Sequence, residues 1–175
     1  MNSGSNSNRA ALWAALLCFA GLCVLGWSYR SRTAPAGTVA LNVLTIDTKA
    51  GPKTFKIEVA RTNEQQATGL MFRTKLAEDE GMLFPHDEPR EVTMWMRNTY
   101  IPLDMVFIRT DGVVHRIEAN TEPMSERVIA SNGPVGSVLE IAGGMAAKLG
   151  ISPGDHVRHS QIQGSAPSNP AAGQK

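Results

Sequence analysis

The chain has 175 residues, 42% hydrophobic and 19% charged, with 17 Lys and Arg against 16 Asp and Glu. That length allows one ordinary domain with extensions and a core large enough to fold alone. All 16 acidic residues follow residue 36 together with 14 of the basic ones, so that part is near −2 although the chain is +1; without a basic stripe interleaved with aromatics, no nucleic-acid partner is expected.

Residues 1–9, MNSGSNSNR, are polar and read as disordered. Residues 10–29, AALWAALLCFAGLCVLGWSY, carry no charge, and twenty residues at helical rise span about 30 Å, the thickness of a bilayer core. Two readings compete: a secretory signal cleaved near Ala34-Pro35-Ala36, or an uncleaved anchor. The length, and Arg30 and Arg32 between the run and the cleavage site, favour the anchor. A lipoprotein is disfavoured, because Leu22 precedes Cys23 and Leu17 precedes Cys18. Either reading puts the rest of the chain in the cell envelope, periplasmic or otherwise extracytoplasmic, anchored or secreted. The partners expected are thus the membrane, through residues 10–29, and an unknown ligand. Cys18 and Cys23 both lie in the apolar run, so the folded domain has no disulfide, thiolate metal site or cysteine nucleophile.

Residues 30–37 are a linker, 38–162 a single β-rich domain, and 163–175, QGSAPSNPAAGQK, a disordered tail. Within the domain, Thr38–Asp47 and Thr54–Ala60 alternate apolar and polar residues and predict strands. Thr62 or Asn63 caps a helix expected to run to about Arg73 despite Gly69. Residues 81–84 are a short strand stopped by Pro85, residues 85–90 a turn, and Val92–Asn98 the next strand. Leu103–Arg109 and Val113–Glu118 form a hairpin across Asp111-Gly112. Residues 119–137 read as a long surface connection, Val138–Ile141 as a buried strand, Gly143–Leu149 as a short helix, and His156–Ile162 as a last strand. The pattern is mainly β: a β-sandwich or partly closed barrel of about eight short strands with two short helices, plus the N-terminal membrane or signal helix.

The densest chemistry is in MWMRNTYIPLDMVFI, residues 94–108. Strand alternation puts Met94, Met96 and Asn98 on one face and Trp95, Arg97 and Thr99 on the other. Pro102 removes a ladder donor, and Asp104 sits on an otherwise apolar face, where an unpaired carboxylate is costly. Asp104 is therefore expected to be buried and to accept hydrogen bonds from Arg97–Ile101, with Arg73 and Arg97 as further donors. Two readings stay open. The corner either only sets strand register, or Arg73, Trp95, Met96, Arg97, Asn98, Thr99 and Asp104 form a ligand-binding cluster beside an apolar shelf. Glu78, Asp79 or Glu80 combined with Asp104 or Glu140 would make an acid/base pair, the hydrolase reading taking Asp104 with Asp79 or Glu80. Met94 and Met96 would make a thioether pair for copper(I), although methionine is more often core filler. Gly143-Gly144 presents amides suited to an anion, or marks a close approach of two chain segments.

Three runs, ATGLMFRTKLAEDEGMLFPH, MWMRNTYIPLDMVFIRTDGVVHRI and VLEIAGGMAAKLGISPGDHV, resemble in order and spacing the family called domain of unknown function 192, also uncharacterised protein family 0127. The resemblance covers about residues 54–158. The family pattern at the corner is similar to Trp-Met-Lys-Asn-Thr-x-Ile-Pro-Leu-Asp, with Arg97 here in place of lysine. The resemblance implies a prokaryotic exported or membrane-anchored protein with an all-β sandwich fold and short helices, and no established activity. The reading is a non-catalytic envelope domain that binds a small molecule or peptide and needs no cofactor. The hydrolase, a structural or adaptor domain and the copper binder are its alternatives.

Overall fold

The computed structural model describes residues 42–162. The expectations for 1–9, 10–29, 30–37 and 163–175 lie outside those residues. Among the described residues no helix is long and apolar enough to cross a membrane. The elements are β1 (Asn42–Thr48), β2 (Gly51–Val59), α1 (Asn63–Thr68), β3 (Glu80–Met94), β4 (Leu103–Ile108), β5 (Val114–Glu118), β6 (Ile129–Ala142), α2 (Met145–Leu149) and β7 (His156–Arg158).

The seven strands form one sheet in the order β5-β4-β6-β3-β2-β1-β7. The β2–β3 pair is parallel and the others are antiparallel. The sheet curls into a half-barrel rather than stacking as two layers. Its two ends touch at one bridge, Val113 to His156, with Val157 N–H donating to Gly112 C=O at 2.7 Å. Gly112 is required there: its φ is +84°, and a Cβ would lie 2.8 Å from the Val157 carbonyl oxygen.

Alternation along the strands creates two cores. The inner one takes residues from all seven strands, among them Leu44, Phe55, Leu83, Val106, Val114, Ile141 and Val157, closed by Met145 and Ala146 of α2. The second lies on the other face and draws only on β3, β4 and β6 among the strands. Met82, Phe84, Leu103, Met105, Phe107 and Val138 are covered there by Ala60, Leu70 and Met96 from the connections. β4 is therefore buried at all six positions.

Three expectations change. The helix after Thr62 stops at Thr68, because Gly69 turns the chain with φ +49°. Thr62 does cap it, accepting from Gln65 N–H at 3.1 Å. The two strands expected around Pro85 are one 15-residue strand, β3, which stays beside β6 through an irregularity between Pro85 and Arg90. A strand tolerates proline at such a point. The long connection expected over 119–137 is mostly β6, which starts at Ile129. Asn132, Gly133, Pro134 and Gly136 give this stretch a loop-like composition, but pairing with Arg90–Met94 holds it in the sheet. The described residues thus form seven strands, two of them long.

Asp104 is 0% exposed. Its carboxylate accepts from Asn120 N–H at 2.6 Å, Gly144 N–H at 2.9 Å and Ala146 N–H at 2.7 Å. The donors are thus the loop after β5 and the start of α2, not Arg97–Ile101. Arg73 is engaged elsewhere, gripping Glu58 with both terminal nitrogens at 2.5 and 2.7 Å. Of the Gly143-Gly144 pair, only the Gly144 amide faces a carboxylate, and it is the internal one of Asp104, while Gly143 N–H donates to Pro102 C=O at 2.9 Å. Gly143 permits the close approach, since a Cβ there would come within 2.8 Å of Pro102 Cβ. Replacing Asp104 with alanine would strand three amides, of which that of Ala146 is buried, and leaving a buried donor unpaired costs about 1–3 kcal/mol. Asp104→Ala is expected to lower unfolding stability by at least that much in denaturant titration, and Asp104→Asn by less. A wild-type midpoint for Asp104→Ala would show that α2 is held by other contacts.

Candidate functional site

The chain leaves β3 at Met94 and turns a corner before entering β4 at Leu103. Asn98 adopts φ +56°, a left-handed conformation that asparagine tolerates better than most residues. The turn breaks strand alternation, so Thr99 is buried rather than sharing an exposed face with Trp95 and Arg97. Its hydroxyl donates to Arg97 C=O at 3.3 Å.

Two outer segments clasp the corner. Phe72 N–H donates to Asn98 C=O at 2.8 Å, and Met124 N–H donates to Thr99 C=O at 3.0 Å. Both donors have positive φ, +64° for Phe72 and +62° for Met124. For non-glycine residues this is strain of order 1–3 kcal/mol, and it persists only where surrounding contacts enforce it. Their side chains gain little burial in return: Phe72 is 59% and Met124 52% exposed. Tyr100, also exposed, meets Phe72 edge to face at 6.3 Å. Trp95 is 48% exposed, with the Arg97 guanidinium 4.8 Å from its ring centroid. Arg97 also reaches Glu126 at 3.4 Å.

Beside the corner lies a cavity of about 120 Å³, lined by residues 66–71 together with Phe84, Thr93, Met94, Trp95, Thr99 and Glu140. Glu140 is on β6, 4% exposed, and flanked in register by Met82 of β3 and Met105 of β4. Among the described residues its carboxyl has no hydrogen-bond or ion-pair partner, and burial alone raises its pKa to about 8. At neutral pH it is therefore mostly a neutral carboxylic acid.

The structure thus divides the expected cluster. Trp95 and Thr99 line the cavity, Arg97 and Asn98 build the adjoining corner, Met96 is buried core, and Arg73 is held by Glu58. Asp104 is on the opposite face of the sheet. Alternation also puts Glu80 on the Met82 face, away from Asp104, and Asp79 pairs with Lys56 at 2.8 Å. Of the proposed thioether pair, Met94 lines the cavity, whereas the Met96 sulfur accepts the Thr121 hydroxyl at 3.1 Å. Phe72 and Tyr100 were outside the expected set, and Glu140 was outside the expected ligand-binding cluster. The available signal was the acid inside the apolar run VLEIA, residues 138–142.

A wider, open cleft of about 820 Å³ lies over the β3 irregularity, lined by polar side chains including Arg61, His86, Asp87 and Arg90. Behind it, His86 Nε2 and Ser137 Oγ are buried without partners, and both residues line a cavity of about 60 Å³. That volume suits one or two water molecules. The acids that line these spaces, Asp87 and Glu88, are exposed.

Glu140 makes stability depend on pH. Its folded pKa of about 8 lies above the unfolded value near 4.5, so the folded state holds a proton that the unfolded state has released. Stability should fall as pH rises through that window, by about 1.4 kcal/mol per unit at the steepest, and level off above it. Glu140→Gln should remove this slope and exceed wild type in stability at pH 8.5. Denaturant unfolding of both proteins at pH 5, 6.5 and 8.5 checks it; parallel profiles would refute it.

Comparison with known proteins places this geometry in a family. Residues 44–159 match the DUF192 family, described as uncharacterized ACR. A solved structure of a candidate transcription regulator from Sinorhizobium meliloti 1021 is 41% identical, covering 72% of this chain and 98% of its own, with a TM-score of 0.69. A protein of unknown function from Novosphingobium aromaticivorans DSM 12444 is 46% identical, covering 71% of this chain and 89% of its own, with a TM-score of 0.68. No curated protein matches. The chain belongs to the DUF192 family.

Proposed function

We propose that this domain is a non-catalytic binding module of the cell envelope that takes one group of a small molecule or peptide into the Glu140 cavity. The observation that carries this reading is an acid, 4% exposed and without a partner, lining a cavity beside exposed apolar side chains. Native interiors rarely leave a polar group unpaired, and Glu140 departs from that rule beside a corner held by two positive-φ residues. Perturbed acids in clefts are more frequent at functional sites than elsewhere.

The size of the cavity narrows the ligand. Drug-sized ligands fill about 300–1,000 Å³, whereas about 120 Å³ accommodates one side chain or a fragment. The rest of the ligand would lie across Trp95, Phe72 and Tyr100, where exposed aromatics supply contact area at low entropic cost. The proposed location rests on export through residues 10–29. No carboxylate pair supports the hydrolase reading. The transcription-regulator description remains with the Sinorhizobium protein: here Arg73, Arg97, Arg109, Arg116, Arg127 and Arg158 are each paired with a carboxylate.

The test is a screen of capped tripeptides and small fragments against the full chain carrying ¹³C-methyl methionine. Binders should shift the Met71 and Met94 methyl signals, and Trp95→Ala should weaken them about tenfold, a loss of about 1.4 kcal/mol, without changing unfolding. Binders that leave both methyls unmoved, or a screen without binders, would reject the module.

A further inference from the structure

We propose that the Glu140 cavity recognises a primary alkylammonium group, carried by a free amine or by the lysine side chain of a peptide. This rests on the binding reading and names the chemistry of the inserted group. The inventory of donors and acceptors around the cavity points to it. Gln66 donates its side-chain nitrogen to the Ala60 and Pro85 carbonyls at 3.3 and 3.0 Å. The Thr99 hydroxyl donates to Arg97 C=O, and the Asn98 amide contacts the Met71 sulfur at 3.9 Å. These three donors are thus engaged, and acceptors remain; the Thr68 and Thr93 hydroxyls and the Trp95 indole N–H also line the cavity but carry no charge to oppose a cation. The last turn of α1 is among the lining, that turn carries no basic side chain, and helix C-termini leave carbonyls unpaired.

Glu140 is the strongest of these acceptors once ionised. No other titratable or charged side chain lines the cavity, and its flanking neighbours in the sheet are Met82 and Met105. Nothing among the described residues supplies its counter-charge. A cation on the ligand does so at a carboxyl that is 4% exposed, where the attraction is stronger than in bulk water. The apolar lining from Leu70, Phe84 and Met94 matches a short methylene stem, which packs while the charged head reaches its partner. Ammonium fits better than guanidinium: it is a compact charge with three donors, whereas guanidinium has five donors in a planar fork that one carboxyl cannot satisfy.

Binding requires Glu140 to release its proton to solvent as the ammonium enters. The ligand stays cationic throughout, since such amines titrate near about 10.4. Affinity should therefore rise about tenfold per pH unit between pH 6 and 7 and level off above Glu140's pKa.

The experiment uses the full chain with ¹³C-methyl methionine, titrated at pH 6, 7, 8 and 9 with n-butylammonium chloride, 1-butanol, a capped Gly-Lys-Gly peptide and its norleucine counterpart. Expected are saturable shifts of the Met71 and Met94 methyls with the two cations, at least tenfold weaker binding of their neutral counterparts at pH 8, and the stated rise with pH for the cations alone. Glu140→Gln should lose at least tenfold in cation affinity and keep its 1-butanol response, with Met82 and Met105 signals confirming an intact sheet. A lysine peptide that binds more tightly than butylammonium identifies a peptide source; equal affinities identify a free amine. Neutral probes that match the cations at every pH, or an unchanged Glu140→Gln, overturn the ammonium proposal and leave the binding module standing. If no probe moves either cavity methyl, both fall.

Discussion

The Asp104 carboxylate and its three backbone amides hold the closed end of this sheet. Its oxygens join β4 to the loop at Asn120 and to the first turn of α2 at Gly144 and Ala146. Those points are 16, 40 and 42 residues away along the chain, so one side chain closes three long loops. Around it, Gly143 N–H reaches Pro102 C=O at 2.9 Å and Thr121 N–H reaches Leu103 C=O at 2.8 Å. The corner between β3 and β4 is thereby fixed at its inner end. Its outer end is free to carry apolar side chains in conformations that an unsupported loop would relax.

Glu140 sits one register step from Asp104, on the neighbouring strand and the opposite face: Asp104 pairs with Ile141, and Met105 with Glu140. Both acids are buried, but their surroundings are opposite. Asp104 has three donors and stabilises the fold as an internal anion. Glu140 has none, so burial keeps its proton on to about pH 8. Replacing it by a neutral isostere should raise stability above neutral pH, which is the usual sign of a residue retained for something other than folding. The sheet itself produces the difference. Its inner face is closed by α2, whose amides point at Asp104, whereas loops cover the outer face and leave a gap over β6.

How far the sequence disclosed this depended on where local and long-range forces agreed. The Asp111-Gly112 hairpin was legible because turn chemistry and alternation coincide. The capping box at Thr62 was legible for the same reason, and the mainly β character followed from short alternating runs. β6 was hidden because its first half has loop composition and becomes a strand only through pairing with β3. The helix after Thr62 was overextended because the periodicity of Leu70, Met71 and Phe72 belongs to a packed loop. Burial of Asp104 could be argued from its apolar neighbours, but its partners could not, since they come from segments distant along the chain. Glu140 was visible as an acid within VLEIA. That it lacked a partner depended on the two strands beside it.

The corner's polar sequence now divides by physical role. Asn98 supplies a left-handed turn, Thr99 is buried and presents its carbonyl to Met124, and Asp104 anchors the exit strand. Asn98 and Thr99 act through backbone geometry and Asp104 through a carboxylate on the opposite face, so the motif shapes the corner beside the cavity without supplying its charge. Arg97 is different. It is exposed, paired with Glu126 at 3.4 Å and stacked on Trp95, contacts worth about 0–1 kcal/mol each at such a surface. It is also the position where the family pattern described above has lysine. An ammonium there would keep the positive charge beside Glu126 but lose planar stacking on the indole. Such an exchange changes how the rim holds Trp95 and leaves Glu140 untouched, so the rim can vary while the charge recognised at the base of the cavity stays the same.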